Sequence, residues 1–170
     1  GLRAVLVPVD GSAVSVRALQ QALRMQRALG AASQALKVHL LHVQRRVSGD
    51  VSSFVTKQSL DDYYAEQADA ALAPALAALA GGGGNVEEHR RIGNPGQEIA
   101  DAARDLGCDL IIMGARGITS QTAVLLGSVA EAVVRLAPCP VLVVRKKRLV
   151  TVATIEPPCP ECVKTRKATN

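Results

Sequence analysis

The stretch "MGARGITSQTAVLLGS", Met113 to Ser128, sets Gly114, Gly117 and Gly127 apart by two and then nine residues and closes on a serine hydroxyl. Glycine lets backbone N–H groups turn towards an anion with no Cβ in the way, and Gly114 or Gly117 can adopt positive φ if the turn demands it. Gly127 and Ser128 open a helical pattern, where N–H groups without intrahelical partners and the helix dipole favour phosphate; Ser128 adds a hydroxyl donor. Arg116, between the first two glycines, can offer a guanidinium to a phosphate oxygen. Upstream, "PVDGS" (Pro8 to Ser12) carries Asp10, whose carboxylate cannot hold a phosphate but can accept hydrogen bonds from a ribose hydroxyl or an adenine amine. Asp10 and Ser128 could also share a magnesium ion. The competing reading is plain: the glycines shape a tight turn and Ser128 is only an N-cap. Other phosphate motifs fit worse, since there is no G-x4-G-K-[ST] loop and no G-x-G-x-x-G after the first strand. If the glycine loop holds a ligand, its pattern suits a mononucleotide.

Such residues need a scaffold that brings two distant loops together. Five apolar, mostly β-branched runs supply strands: Ala4 to Val9, Leu36 to Val43, Val86 to Ile92, Asp109 to Gly114 and Val141 to Arg145. Four are almost continuously hydrophobic, as strands buried on both faces of a parallel sheet are, while "VEEHRRI" suits a sheet edge. Helical patterns alternate with them. Ala13 to Leu29 carries Val16, Leu19 and Leu23 on one face and closes at Gly30. A second helix opens at Ser59 with Asp62 as a weak capping box and lines up Ala68, Leu72, Leu76 and Leu79 until the glycines at Gly81 to Gly84; Pro74 within it predicts a kink or a restart. Pro95 starts a third, with Ile99, Ala103 and Leu106 in register up to Gly107, and Ser128 to Ala137 forms the fourth. This alternation predicts an open, doubly covered parallel α/β sheet. In such sheets ligands sit beyond the carboxyl ends of the strands, so the loops after the first and fourth strands share one crevice if those strands are neighbours.

Composition narrows the function classes. The chain has 170 residues, 48% hydrophobic and 21% charged, which suits one globular domain. The net charge of +5 invites a nucleic-acid reading, yet much of the excess lies in "RKKR" (Arg145 to Arg148) and the tail, and there are only two Tyr, one Phe and no Trp for base stacking. Nucleic acid is therefore disfavoured as a partner. No apolar run approaches a membrane span, and no basic and apolar leader opens the sequence, so a cytoplasmic location is expected. Cys108 and Cys139 read as reduced residues at the core edge; Cys159 and Cys162 form a lone C-x2-C without a second half-site. His39 and His42 fall in the second predicted strand and read as packed or half-exposed sheet residues rather than bases, and His89 falls in the predicted edge strand. Gln44 to Gln58 reads as a long connection, and residues 147–170 as a weakly packed or disordered extension of a domain spanning residues 1–146.

"LVPVDGS", "LLHV", "DLIIMGARG", the nine-residue spacer and "GSVAEAVVRLAPCPVLVVR" together resemble the universal stress protein family, in particular its ATP-binding branch with the G-x2-G-x9-G-[ST] motif. The resemblance spans Leu2 to Arg145. It implies a five-stranded parallel sheet of order 3-2-1-4-5, the adenine nucleotide alpha hydrolase-like fold. It also implies that Pro8, Val9, Asp10, Val43 and Met113 surround the adenine and ribose, and that Gly114, Arg116, Gly117, Gly127, Ser128 and Val129 hold ribose and phosphates. A homodimer through Val141, Leu142, Val143 and Val144 of the last strand follows from it as well. The implied function is an ATP-binding stress-response regulator, with ATP or another adenine nucleotide and Mg2+ as ligands, an unidentified protein partner and at most slow hydrolysis. The alternative is a nucleotide-independent interaction dimer. Two departures stand out: the spacer "ITSQTAVLL" lacks the second basic residue often found after the glycine pair, and the resemblance does not cover the tail.

Overall fold

A computed structural model of the chain describes residues 1–29, 36–49, 54–82, 84–116 and 126–145. The apolar runs form five strands, β1 (Ala4–Pro8), β2 (Lys37–Gln44), β3 (Val86–Ile92), β4 (Leu110–Gly114) and β5 (Val141–Val144), within a residue or so of their sequence-based limits. Between them lie α1 (Ala13–Ala28), α2 (Lys57–Leu79), α3 (Pro95–Asp105) and α4 (Ser128–Leu136). All pairings are parallel and the sheet order is β3-β2-β1-β4-β5, so β1 and β4 are neighbours, as the shared crevice requires.

Strand periodicity divides the core between two faces. Val5, Val7, Val9, Val38, Leu40 and Ile112 pack against Ala18, Leu19, Ala22 and Leu23 of α1 and Ala68, Leu72 and Ala75 of α2. On the other face Leu6, Leu41, Ile111 and Met113 meet Ile99, Ala102 and Ala103 of α3 and Ala130 and Val133 of α4. The sheet is thereby sandwiched, and β3 and β5 are left as its edges.

Several sequence-based expectations change in detail. The second helix starts at Lys57, not Ser59: Thr56 is the N-cap and its side chain accepts from the Ser59 N–H at 3.1 Å, leaving Asp62 to accept from Gln58 Nε2 at 2.9 Å. Pro74 does not restart the helix, which runs as one element over 23 residues. Its ring lies on the exposed side, and the Leu72 and Ala75 packing on the sheet holds the backbone in register. The buried stripe is Ala68, Leu72 and Ala75, with Leu79 packed at its edge as expected; Leu76 is 41% exposed and does not face the core. Helix α1 ends at Ala28 with Leu29 as its cap; Gly30, expected there, lies outside the described residues, as do residues 146–170. Asn94 caps α3 through its side chain, Pro95 takes the first helical position, and Gly107 follows at φ 60°.

Candidate functional site

The loop after β1 turns sharply because Asp10 Oδ1 accepts from the Ser12 N–H at 3.0 Å while Gly11 between them sits at φ 84°. A side chain at Gly11 would be strained by that φ and would also reach the backbone of Ala71 in α2, at 3.4 Å from its Cα. Ser12 then caps α1 and accepts from the Ser15 N–H at 3.2 Å, which fixes the direction in which Asp10 leaves the strand. On the other side, Gly114 at the end of β4 has an ordinary φ, so its glycine serves a different need. A Cβ there would stand 2.7 Å from Val14 Cγ1: Gly114 lets the first turn of α1 settle directly on β4.

Gly127 is the N-cap of α4, with no side-chain cap, and Ser128 is the first helical residue; the alternative of Ser128 as N-cap is therefore corrected. The Gly127 N–H donates to Ala115 O at 2.7 Å and is spent on closing the loop, while the first helical residues have N–H groups without intrahelical acceptors.

These loops converge on a cavity of about 830 Å3 at the carboxyl ends of the strands. Pro8, Val9 and Asp10 line it from β1 and its loop, Val43 from β2, Met113 and Gly114 from β4, Arg116 from just beyond β4, and Gly127, Ser128 and Val129 from the start of α4. Gly117, also expected to hold ribose or phosphate, lies outside the described residues. The apolar part is set by Val9 and Met113, both nearly fully buried and each anchored in one of the two cores. Polar groups stand around it.

Sequence reasoning missed part of the wall. His42 lines the cavity, with ring Nδ1 3.0 Å from Val9 O; a carbonyl only accepts, so this nitrogen carries the hydrogen and the ring braces β2 against the exit of β1. Arg45, just past β2, joins Arg116, so two guanidinium groups come from strands flanking β1. Glu131 in the first turn of α4 adds an acid that suits the helix dipole. Gln67, Ala70 and Ala71 of α2 close another side. Arg45 had a legible signal, a cation directly after a buried strand. The α2 residues had none, because only the packing of that helix on the sheet brings them to the crevice.

An open parallel sheet with a mononucleotide-sized crevice at its carboxyl edge, polar at the rim and apolar at the floor, defines a class of small-molecule-binding α/β proteins. The chain belongs to the universal stress protein family, whose family model matches residues 1–145. It is 32% identical over 150 residues to Universal stress protein MJ0531 of Methanocaldococcus jannaschii, with 85% of this chain and 82% of that protein covered. Among solved structures it is similar to the protein MJ0577 of the same organism, at 32% identity and a TM-score of 0.70, covering 86% of this chain and 97% of that one. A universal stress protein in complex with cAMP matches with a TM-score of 0.59 at 25% identity, covering 86% and 99%. Among the described residues no helix is long and apolar enough to cross a membrane.

Proposed function

We propose that the protein binds an adenine mononucleotide, in the first instance ATP, and acts as a dimeric stress-response regulator with at most slow hydrolysis. One observation carries this reading: Asp10, Val43, Met113, Arg116 and Ser128, scattered from one end of the domain to the other, line a single cavity. A volume of about 830 Å3 is ample for a nucleotide and lies within the usual range of small-ligand sites. Val9, Val43 and Met113 suit an adenine face, Asp10 a ribose hydroxyl, and Arg116, Arg45 and the first N–H groups of α4 the phosphates. The match to a protein solved with cAMP supports an adenine nucleotide as the ligand class. Magnesium takes oxygen ligands, keeps several waters and usually rests on one or two carboxylates plus substrate phosphates. Asp10 and Ser128, both on the cavity wall, fit that pattern and would hold the ion against the phosphates.

A second reading has its own support. Gly114 is required by Val14, and the Gly127 N–H is committed to Ala115, so two motif glycines have packing roles that need no ligand. A nucleotide-independent interaction dimer would keep both. The two readings part at the purified protein. Mass spectrometry of small molecules released on denaturation should find adenine nucleotide, and nucleotide-free protein should show a thermal shift with ATP and Mg2+. Arg116→Gln should weaken ATP by about tenfold or more, the scale of a lost charge-assisted hydrogen bond, and leave adenosine binding unchanged. Absence of any thermal shift with ATP, AMP or cAMP would decide for the second reading.

A further inference from the structure

Away from the nucleotide cavity, β2 and β3 place two imidazoles and a carboxylate side by side. The period of two along a strand sets Glu87 and His89 on one face of β3, and the parallel register pairs His39 with Glu87 and Leu41 with His89, so His39 faces the same way from the next strand. His39 Nδ1 and His89 Nε2 are 2.8 Å apart, and Glu87 Oε1 lies 3.7 Å from His89 Nε2. One ligating atom from each of the three residues falls within 4.8 Å of the others.

We propose that His39, Glu87 and His89 form a binding site for a divalent first-row transition ion of the Zn2+ type. Imidazole nitrogen and carboxylate oxygen are the donors such ions take, and two ligands at i and i+2 on one strand with a third from its neighbour leave a fourth position open to water. Metal–nitrogen bonds of about 2.0–2.1 Å in a tetrahedral site set the two nitrogens about 3.3 Å apart. The rings need to part by about half an ångström, a shift that falls to His89, the partly exposed member of the pair on the edge strand. Across the 2.8 Å contact one ring donates to the other; coordination shifts that hydrogen to the donor ring's remaining nitrogen, so no net proton has to leave. Glu87 is already divided between two tasks: Oε2 pairs with Lys37 while Oε1 turns to His89. Lys37 thus acts from the outer shell, holding the ligating carboxylate in place.

Burial is graded as an entry path requires. His39 is 4% exposed and forms the floor, the His89 side chain is 20% exposed, and that of Glu87, at 48%, stands at the mouth. None of the three lines the nucleotide cavity. His39 lies three residues, about 10 Å of strand, before His42, where β2 first reaches the nucleotide cavity, so the site is separate from any magnesium held with phosphate.

The test uses the full chain, stripped with a chelator, and Co2+ as the probe, with Zn2+ as competitor. The proposal expects about one Co2+ per chain with the visible d–d bands of a four- or five-coordinate nitrogen and oxygen site, displaced by Zn2+. His89→Ala and Glu87→Gln, both at partly exposed positions on an edge strand, should each weaken binding by about tenfold or more while the far-ultraviolet dichroism stays unchanged. Cys159→Ser/Cys162→Ser should leave these bands intact. Uptake that is unaffected by His89→Ala, bands showing thiolate-to-cobalt charge transfer that vanish in the serine double variant, or no uptake at micromolar metal would each overturn the proposal.

Discussion

Asp109 reads in the sequence as the first residue of a strand, yet it stands just outside β4 and works on its neighbour. Its Oδ2 accepts from the backbone N–H of Arg3 at 2.7 Å and of Ala4 at 3.0 Å, clamping the entry to β1. These two donors favour the ionised carboxylate and hold its pKa below the ordinary range. A carboxylate with a depressed folded-state pKa adds stability that is present above its unfolded value of about 3.9 and is lost as pH falls through the lower folded value. Asp109→Asn should therefore flatten the acid limb: between about pH 6 and pH 2, urea titrations should show the parent losing more stability than the variant. An identical loss in both would mean that the clamp contributes nothing. The same residue-scale logic separates the motif glycines. Spacing alone marks Gly114 and Gly127 as places where a side chain is unwelcome, but it takes Val14 and Ala115 O to say why.

At the scale of elements, α2 shows how tertiary packing overrides local propensity. Pro74 has no N–H to donate to the carbonyl of Ala70, one turn back, and Ala70 lies on the cavity wall. The helix continues regardless because Ala68, Leu72 and Ala75 are buried against the sheet on either side of Pro74. Pro74→Ala restores a backbone hydrogen bond and removes an interior penalty of about 3 kcal/mol, offset by up to about 1 kcal/mol from a looser unfolded chain. The variant should be more stable by about 2 kcal/mol in chemical denaturation. A loss of stability would show instead that the helix is shaped around the ring. The cap of this helix was also illegible in the sequence: Thr56 and Ser59 both suit an N-cap, and the choice depends on where α2 lands on the sheet.

At the scale of the whole molecule, β5 is an apolar edge that pairs, among the described residues, with β4 alone. Leu142 on it is 40% exposed, and Val134 on the adjoining α4 is 52% exposed. An edge of this kind is a template for pairing with another strand, and a second copy related by a two-fold axis is the occupant we propose. Sedimentation velocity should find the parent chain as a dimer and Leu142→Asp as a folded monomer. A dimer that survives this change, or a parent chain that sediments as a monomer, would move the interface elsewhere or remove it.

Strand and helix alternation, the parallel sheet and the two loops of the crevice were determined by the sequence alone, because hydrophobic period and glycine and proline placement are local signals. The strand order entered through resemblance, and the sheet pairings bear it out. Tertiary structure alone decided which residues from α2 close the cavity, that His42 braces Val9, and that His39 meets His89 across 50 positions of chain. Those contacts depend on register and on how a helix seats on a sheet, and nothing within a few residues of each partner encodes them.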